Sequence, residues 1–226
     1  AGHTLSFRGN LTPNRSNGIG TFTVNKNFNL KGNCMSMLFK DNAANNYSLS
    51  GKSYAFYKLF YNCITLKSVS ANFLPATILA IGCYSDMFYG CTSLTSIIIP
   101  NSVTQIEVNA FYGCTSLVSI TDEKIEQIGD GAFFNTENLS LFASSVLDEI
   151  GNRAFEGSGV TELGIANTSV IGEYAFKDCD ELTQVCISNA TSVGKGAFSG
   201  CTSVTTAIMP LLVTIPQECF SGCSKL

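Results

Sequence analysis

The chain has 226 residues, 45% of them hydrophobic and only 13% Asp, Glu, Lys or Arg, which supplies a sizeable core and argues against disorder. A formal net charge of −4 with scattered basic residues provides no Lys and Arg cluster for phosphate, so nucleic acid and anionic membrane are poor partners. No apolar run reaches membrane-spanning length, and the cluster Ile97 to Ile99 is stopped by Pro100 as a short buried strand would be.

At the N-terminus, Asn17-Gly18 is a turn signal and Thr21-Phe22-Thr23-Val24 alternates, which predicts a β-hairpin or strand cap. Residues 1–50 therefore read as a capping region with at most a degenerate repeat, and residues 51–226 as the repeat region. A chain that begins at Ala1-Gly2 and stops at Leu226 inside a repeated motif is expected to be a processed or trimmed form.

One phenylalanine sets the period. Phe88, Phe111, Phe133, Phe155, Phe176, Phe198 and Phe220 are separated by 23, 22, 22, 21, 22 and 22 residues, and Phe60 continues the series after a gap of 28. Such regularity is the signature of a solenoid. The unit is clearest at Ala110-Phe111-Tyr112-Gly113-Cys114-Thr115-Ser116-Leu117-Val118-Ser119-Ile120. An Ile-Gly pair or its variant precedes the next Phe, as in Ile128-Gly129, Ile150-Gly151, Ile171-Gly172 and Val193-Gly194. These glycines are expected to supply a positive-φ turn, giving two corners per coil.

The Leu-x-x-Ile-x-Ile segment reads as a short β-strand whose apolar residues point inward, with the intervening residues on a concave outer face. Stacking coils about 4.8 Å apart buries what a single coil cannot. The outward positions are Ser96, Ile98, Ser119, Thr121, Leu141, Ala143, Glu162, Gly164, Gln184, Cys186, Thr206 and Ile208. This mixed, weakly charged face is the candidate ligand-binding surface, with exposed apolar residues such as Ile98, Leu141 and Ile208 as interface markers. Tyr61, Tyr89 and Tyr112 follow the marker phenylalanine and read either as an aromatic stripe for sugar or peptide or as rings packed along a corner.

The pattern Ile-Gly-x-x-Ala-Phe-x-x-Cys-x-x-Leu-x-x-Ile-x-Ile-Pro, carried by residues 79–226 with Pro100 and Pro210 after two strands, resembles the BspA-like leucine-rich repeats. The earlier Leu59-Phe60-Tyr61-Asn62-Cys63 looks like a sub-branch common in secreted proteins of gut Bacteroides. The resemblance implies a right-handed curved repeat solenoid of short parallel β-strands joined by turns and short helical or 3-10 corners. It also implies an extracytoplasmic protein, secreted or at the cell surface, that binds protein, other bacteria or glycan as an adhesion module. A spacer or assembly element of a larger surface protein is the alternative. Departures are local: Thr136 and Ser158 replace the repeat Cys, Val160 arrives one residue early, and Glu107 stands where the turn Gly is expected.

Of ten cysteines, Cys63, Cys91, Cys114, Cys179, Cys201 and Cys223 share one repeat phase and should form an inward ladder of buried thiols, with inter-coil disulfides as the rival state. Cys186 should project outward, without a basic cluster to activate it. Cysteines on separate coils do not make paired metal knuckles, so no metal or cofactor is implied.

His3 is the one histidine, which leaves no obvious Ser-His-Asp or Cys-His arrangement, and the carboxylates Glu162 and Glu181 have no spacing that singles them out for glycoside hydrolysis. Asp178, Asp180 and Glu181 crowd one turn and read as a solvated acidic corner before a cation site. Gly18 and Gly20 lack the strand-to-helix context of a phosphate loop. Binding, and not catalysis, is the expectation.

Overall fold

A computed structural model describes residues 3–5, 26–30, 34, 48–70, 73–74, 81–121 and 124–226. The hairpin expected around Asn17 to Val24 lies outside these residues. The described N-terminal strands, β1 (His3–Leu5) and β2 (Phe28–Leu30), pair in parallel with each other, and β2 pairs in parallel with β3 (Leu66–Val69).

Each regular coil then contributes a three-residue strand to one flank and a two-residue strand to the other. The first flank continues through β4 (Ser96–Ile98) and β6 (Ser119–Thr121), which complete a five-stranded sheet, then the pairs β8 (Leu141–Ala143) with β10 (Glu162–Gly164) and β12 (Gln184–Cys186) with β14 (Thr206–Ile208). The second flank is a five-stranded sheet of β5 (Gln105–Ile106), β7 (Gln127–Ile128), β9 (Glu149–Ile150), β11 (Val170–Ile171) and β13 (Ser192–Val193). Every described pairing is parallel. A solenoid permits this because each strand meets its own repeat one coil later.

Between the flanks the marker phenylalanines form one continuous stack from Phe60 to Phe220. Ring centroids lie between 5.0 and 5.7 Å apart, with interplanar angles between 1° and 16°. Large aromatic area is thereby buried in offset-stacked pairs on every coil interface. Leu94, Leu117, Leu139, Leu182 and Val204 are fully buried at the phase that opens the first strand.

The expected helical or 3-10 corners are not present among the described residues, where turns stand instead. The cause is a left-handed residue at every fourth position. Around Phe88 these are Asp86 (φ 51°) and Gly90 (φ 67°), around Phe111 Asn109 (52°) and Gly113 (67°), and around Phe155 Arg153 (54°) and Gly157 (68°). A right-handed helix cannot absorb such residues. They make successive N–H groups alternate in direction: Met87, Tyr89 and Cys91 donate three residues back within the coil, while Asp86, Phe88 and Gly90 donate to Val108, Ala110 and Tyr112 of the next coil. The corner is therefore half turn and half ladder, and its backbone donors are consumed.

The Ile-Gly glycines correct a second expectation. Gly129, Gly151, Gly172 and Gly194 do not have positive φ. They are needed because the chain comes too close to the preceding coil for a side chain: a Cβ at Gly151 would stand 2.6 Å from the backbone nitrogen of Asp130, and one at Gly129 2.7 Å from that of Val108. The N-terminal coils carry Phe56, Tyr84 and Glu107 at this phase, with the Phe56 and Tyr84 rings 6.0 Å apart. Glu107 turns its carboxylate to accept from Ser85 Oγ at 3.4 Å, and burial raises its pKa.

The cysteine phase is a ladder of donors. Cys91, Cys114, Cys179, Cys201 and Cys223 each direct Sγ at the carbonyl of the marker phenylalanine one coil earlier, at 3.0–3.1 Å. Thr136 fills the same phase with a hydroxyl that donates to Phe133 at 2.8 Å.

Three substitutions separate these causes. Gly151→Ala should lower unfolding free energy by about 2 kcal/mol through backbone overpacking. Gly113→Ala, whose Cβ would find its nearest neighbour at 3.9 Å, should cost only the left-handed conformation, about 1 kcal/mol; urea denaturation ranks them. Phe155→Ala should exceed both, at about 4 kcal/mol. Burial pushes Cys114 from its ordinary 9.0 up to about 12, so the folded state prefers the neutral thiol. Its contribution is complete below pH 9 and is lost as pH rises from 9 towards 12. Cys114→Ser should flatten that alkaline decline in a series of denaturation curves.

Candidate functional site

From β4 onward the strand period of two turns the first and third residues of each first-flank strand outward, and Ser68 of β3 stands in line with them. Register then assembles them into two rows along the solenoid. Ser68, Ser96 and Ser119 are neighbours in one row, where Leu141 also pairs with Glu162 and Gln184 with Thr206. In the second row Ile98 pairs with Thr121, Ala143 with Gly164, and Cys186 with Ile208. Ser96, Ile98, Ser119, Leu141, Glu162, Gln184, Cys186 and Ile208 are exposed and Thr206 is half-buried, while Thr121 is placed by its backbone alone.

The face is low and nearly uncharged. Glu162 is the one ionisable carboxylate in these rows, and at their centre Gly164 lies against Ala143, where an added Cβ would stand 2.6 Å from the alanine Cβ. Three larger apolar side chains rise from it, Ile98 at 47%, Leu141 at 54% and Ile208 at 53% exposure. The register separates them: each is flanked by Thr121, Glu162 or Cys186 and not by another of the three.

The second flank has a different chemistry, which sequence reading treated as a corner. Its exposed residues include Gln127, Glu126, Asp148 and Glu149, with Asp130 and Glu173 beside them. Gln127 Nε2 donates to Glu149 at 3.4 Å, Ser169 Oγ donates to the Asp148 carboxylate, and the Asn152 backbone N–H donates to Asp130 at 2.7 Å. The recurring polar-Ile-Gly triplets carried this signal, but two-residue strands are too short to show a period of two. The two flanks thus present a neutral and an acidic surface.

Tyr61, Tyr89 and Tyr112 form a stacked column that Phe134 extends, with centroids 4.6, 4.5 and 4.4 Å apart and planes within 13°. Lys58 Nζ lies 4.9 Å from the Tyr61 and Tyr57 centroids. The ring faces between members are occupied by one another, so edges are what the column offers to solvent. Beyond Phe134 the phase changes to charge: Glu156 is buried and held by Lys177 at 3.0 Å and Arg153 at 3.5 Å.

Asp178 is paired with Lys177 at 2.8 Å and Asp180 accepts from Thr202 at 3.1 Å, which makes this turn a hydrogen-bonded, exposed corner. Among the described residues no group of three His, Cys, Asp or Glu could hold a metal ion, and no helix is long and apolar enough to cross a membrane. Glu162 and Glu181 are both exposed. A small solvent-open pocket lies where Tyr84 and Glu107 replace the glycine phase, lined by Leu74, Phe88, Ile99, Val103 and Ile106. It is apolar and lies away from both outward rows.

A family model described as the BspA type leucine rich repeat region matches this chain in 6 copies, over residues 52–179 and 120–226. A leucine-rich repeat protein from Bacteroides ovatus of known crystal structure is 30% identical over 66% of this chain, with a TM-score of 0.60. This chain spans 40% of the length of that protein. A leucine rich repeat protein from T. pallidum is 26% identical over 67% of this chain and 69% of its own, with a TM-score of 0.52. No curated protein is significantly similar to the chain. With repeat phase, parallel two-flank stacking and the family match in agreement, the chain belongs to the BspA-type leucine-rich-repeat proteins.

Proposed function

We propose that the chain is an extracytoplasmic adhesion module that binds a protein partner through the outer face of its first flank. The observation that carries the reading is the contrast between flanks. Opposite the acidic second flank stands a face of mostly small side chains with Glu162 as its one carboxylate, and Ile98, Leu141 and Ile208 project from it. Shallow, weakly charged surfaces with isolated apolar anchors suit protein partners, because little charge must be desolvated on contact. Ser96, Ser119, Thr121, Glu162, Gln184 and Thr206 supply the polar contacts, and Cys186 is part of the surface.

Glycan is the weaker candidate. Sugars pack on exposed aromatic faces, and the tyrosine column spends its ring faces on internal stacking. Membership of a repeat family whose fold serves as a binding scaffold supports binding over catalysis.

The test compares the chain with a Gln184→Arg/Ile208→Glu variant of equal thermal midpoint on arrays of extracellular-matrix proteins, bacterial surface proteins and glycans. Saturable binding to a protein, weakened about tenfold or more in the variant, is the expected result. Equal affinity of the two chains would remove the site from this face. Binding confined to glycans would overturn the partner class, and binding by neither would favour a spacer element that displays other parts of a larger surface protein.

A further inference from the structure

The cysteine column raises a question that the binding reading does not address: in what chemical state six cysteines on stacked coils persist in an oxidising setting. Cys63, Cys91 and Cys114 form one run, and Cys179, Cys201 and Cys223 another, with Thr136 and Ser158 at the same phase between them. None of the ten cysteines is joined in a disulfide in the structure. Neighbours stand on adjacent coils, near enough that Ser158 Oγ lies 3.4 Å from Cys179 Sγ. Proximity alone would therefore permit bridging.

We infer that the column is a set of permanent thiols, held as hydrogen-bond donors, whose members do not join as disulfides while the chain is folded. The geometry gives three reasons. Each column sulfur from Cys91 onward is aimed at a carbonyl oxygen one coil earlier, and Cys201 Sγ also contacts the Cys179 thiol. Phe88 O, for example, accepts from the Cys91 backbone N–H at 3.1 Å and from Cys114 Sγ at 3.1 Å, so both of its acceptor sites are filled. Phe176 O repeats this with the Cys179 N–H at 3.3 Å and Cys201 Sγ at 3.0 Å. Bridging would draw the sulfurs off these oxygens and leave acceptor sites empty in a buried position.

The second reason is the substitution pattern within the chain itself. Where cysteine is absent from the phase, a hydroxyl replaces it. Thr136 donates to Phe133 O at 2.8 Å and Ser158 contacts the next thiol, and both are buried. Thr136 reaches the carbonyl of its own coil and not that of the coil before, so what the phase keeps is a small hydrogen-bonding group, a role that sulfur fills as a thiol and loses as a donor in a disulfide.

The third is chemical. Joining Cys91 to Cys114 would form one S–S bond, with the two thiol hydrogens passing to a small disulfide that is reduced to two thiols. The attacking species is a thiolate; burial raises the thiols of Cys91 and Cys114, and the hydrogen bond with the Cys179 thiol, followed by burial, raises Cys201, so that thiolate is scarce. Stacked coils also present their side chains in parallel, away from the torsion near 90° that a disulfide requires.

The experiment exposes the folded full chain to a large excess of oxidised glutathione at pH 7.5 and reads intact mass and peptide maps. The exposed Cys186 serves as internal control for reagent activity. Cys186 should take one glutathione, while the six column cysteines keep their thiols and react only after guanidinium is added. A loss of two hydrogens mapped to any adjacent column pair in the folded chain would overturn the inference, as would column adducts forming as fast as the Cys186 adduct. A second arm reads the donor role: Cys114→Ser should retain at least half of the denaturation midpoint difference between wild type and Cys114→Ala. A serine variant no more stable than the alanine variant would show that the phase values bulk and not a donor.

Discussion

A coil of some twenty-two residues has too little interior to enclose its own apolar side chains, so each coil is completed by the one stacked on it. That dependence fixes almost everything else. Once successive coils must lie at the spacing of hydrogen-bonded parallel strands, every position in the repeat becomes a column, and each column must be filled by a side chain that tolerates its own copy as neighbour. Phenylalanine meets the condition by offset stacking from Phe60 to Phe220, and tyrosine meets it from Tyr61 to Tyr112. Cysteine meets it by reaching back to a carbonyl, and glycine by having no side chain where the coils come closest.

The same constraint explains why the outer faces can differ. Inward columns are bound to a narrow choice by packing, while outward rows touch only one another and the solvent. A serine row, an isoleucine or a carboxylate can therefore occupy β4 to β14 without disturbing Leu94, Leu117 or Phe133 beneath it. Row composition is what such a scaffold leaves free to vary, and the neutral first flank and the acidic second flank are two compositions on one frame.

Much of this was legible from the residues because columns appear in a sequence as fixed spacings. The marker phenylalanines, the six phased cysteines and the alternation of the first-flank strands all announce their positions in the sequence. What could not be read is whatever depends on the neighbouring coil. Gly151 looked like a turn residue because local rules know only φ, whereas its true constraint is the backbone of Asp130 one coil away. The helical corners failed for a related reason: the alternation of N–H directions satisfies a ladder to the next coil, which no window of adjacent residues contains. The tyrosines gave a visible stripe, but the stack that closes their faces is again a relation between coils. The partner proposed for the outward rows is a property of a second molecule, and the strand pattern gives those rows an orientation without giving that partner.

The alternating corner has a mechanical side. Its inter-coil hydrogen bonds, like those of both flanks, run along the solenoid axis, and so does the phenylalanine stack. A pull along that axis loads coil interfaces in series, each one bearing the full tension, and the weakest opens first while the others stay closed. A pull across the axis is shared by several coils in parallel. On the proposed reading, a partner held on the lateral face would pull across the axis, the direction in which several coils share the load.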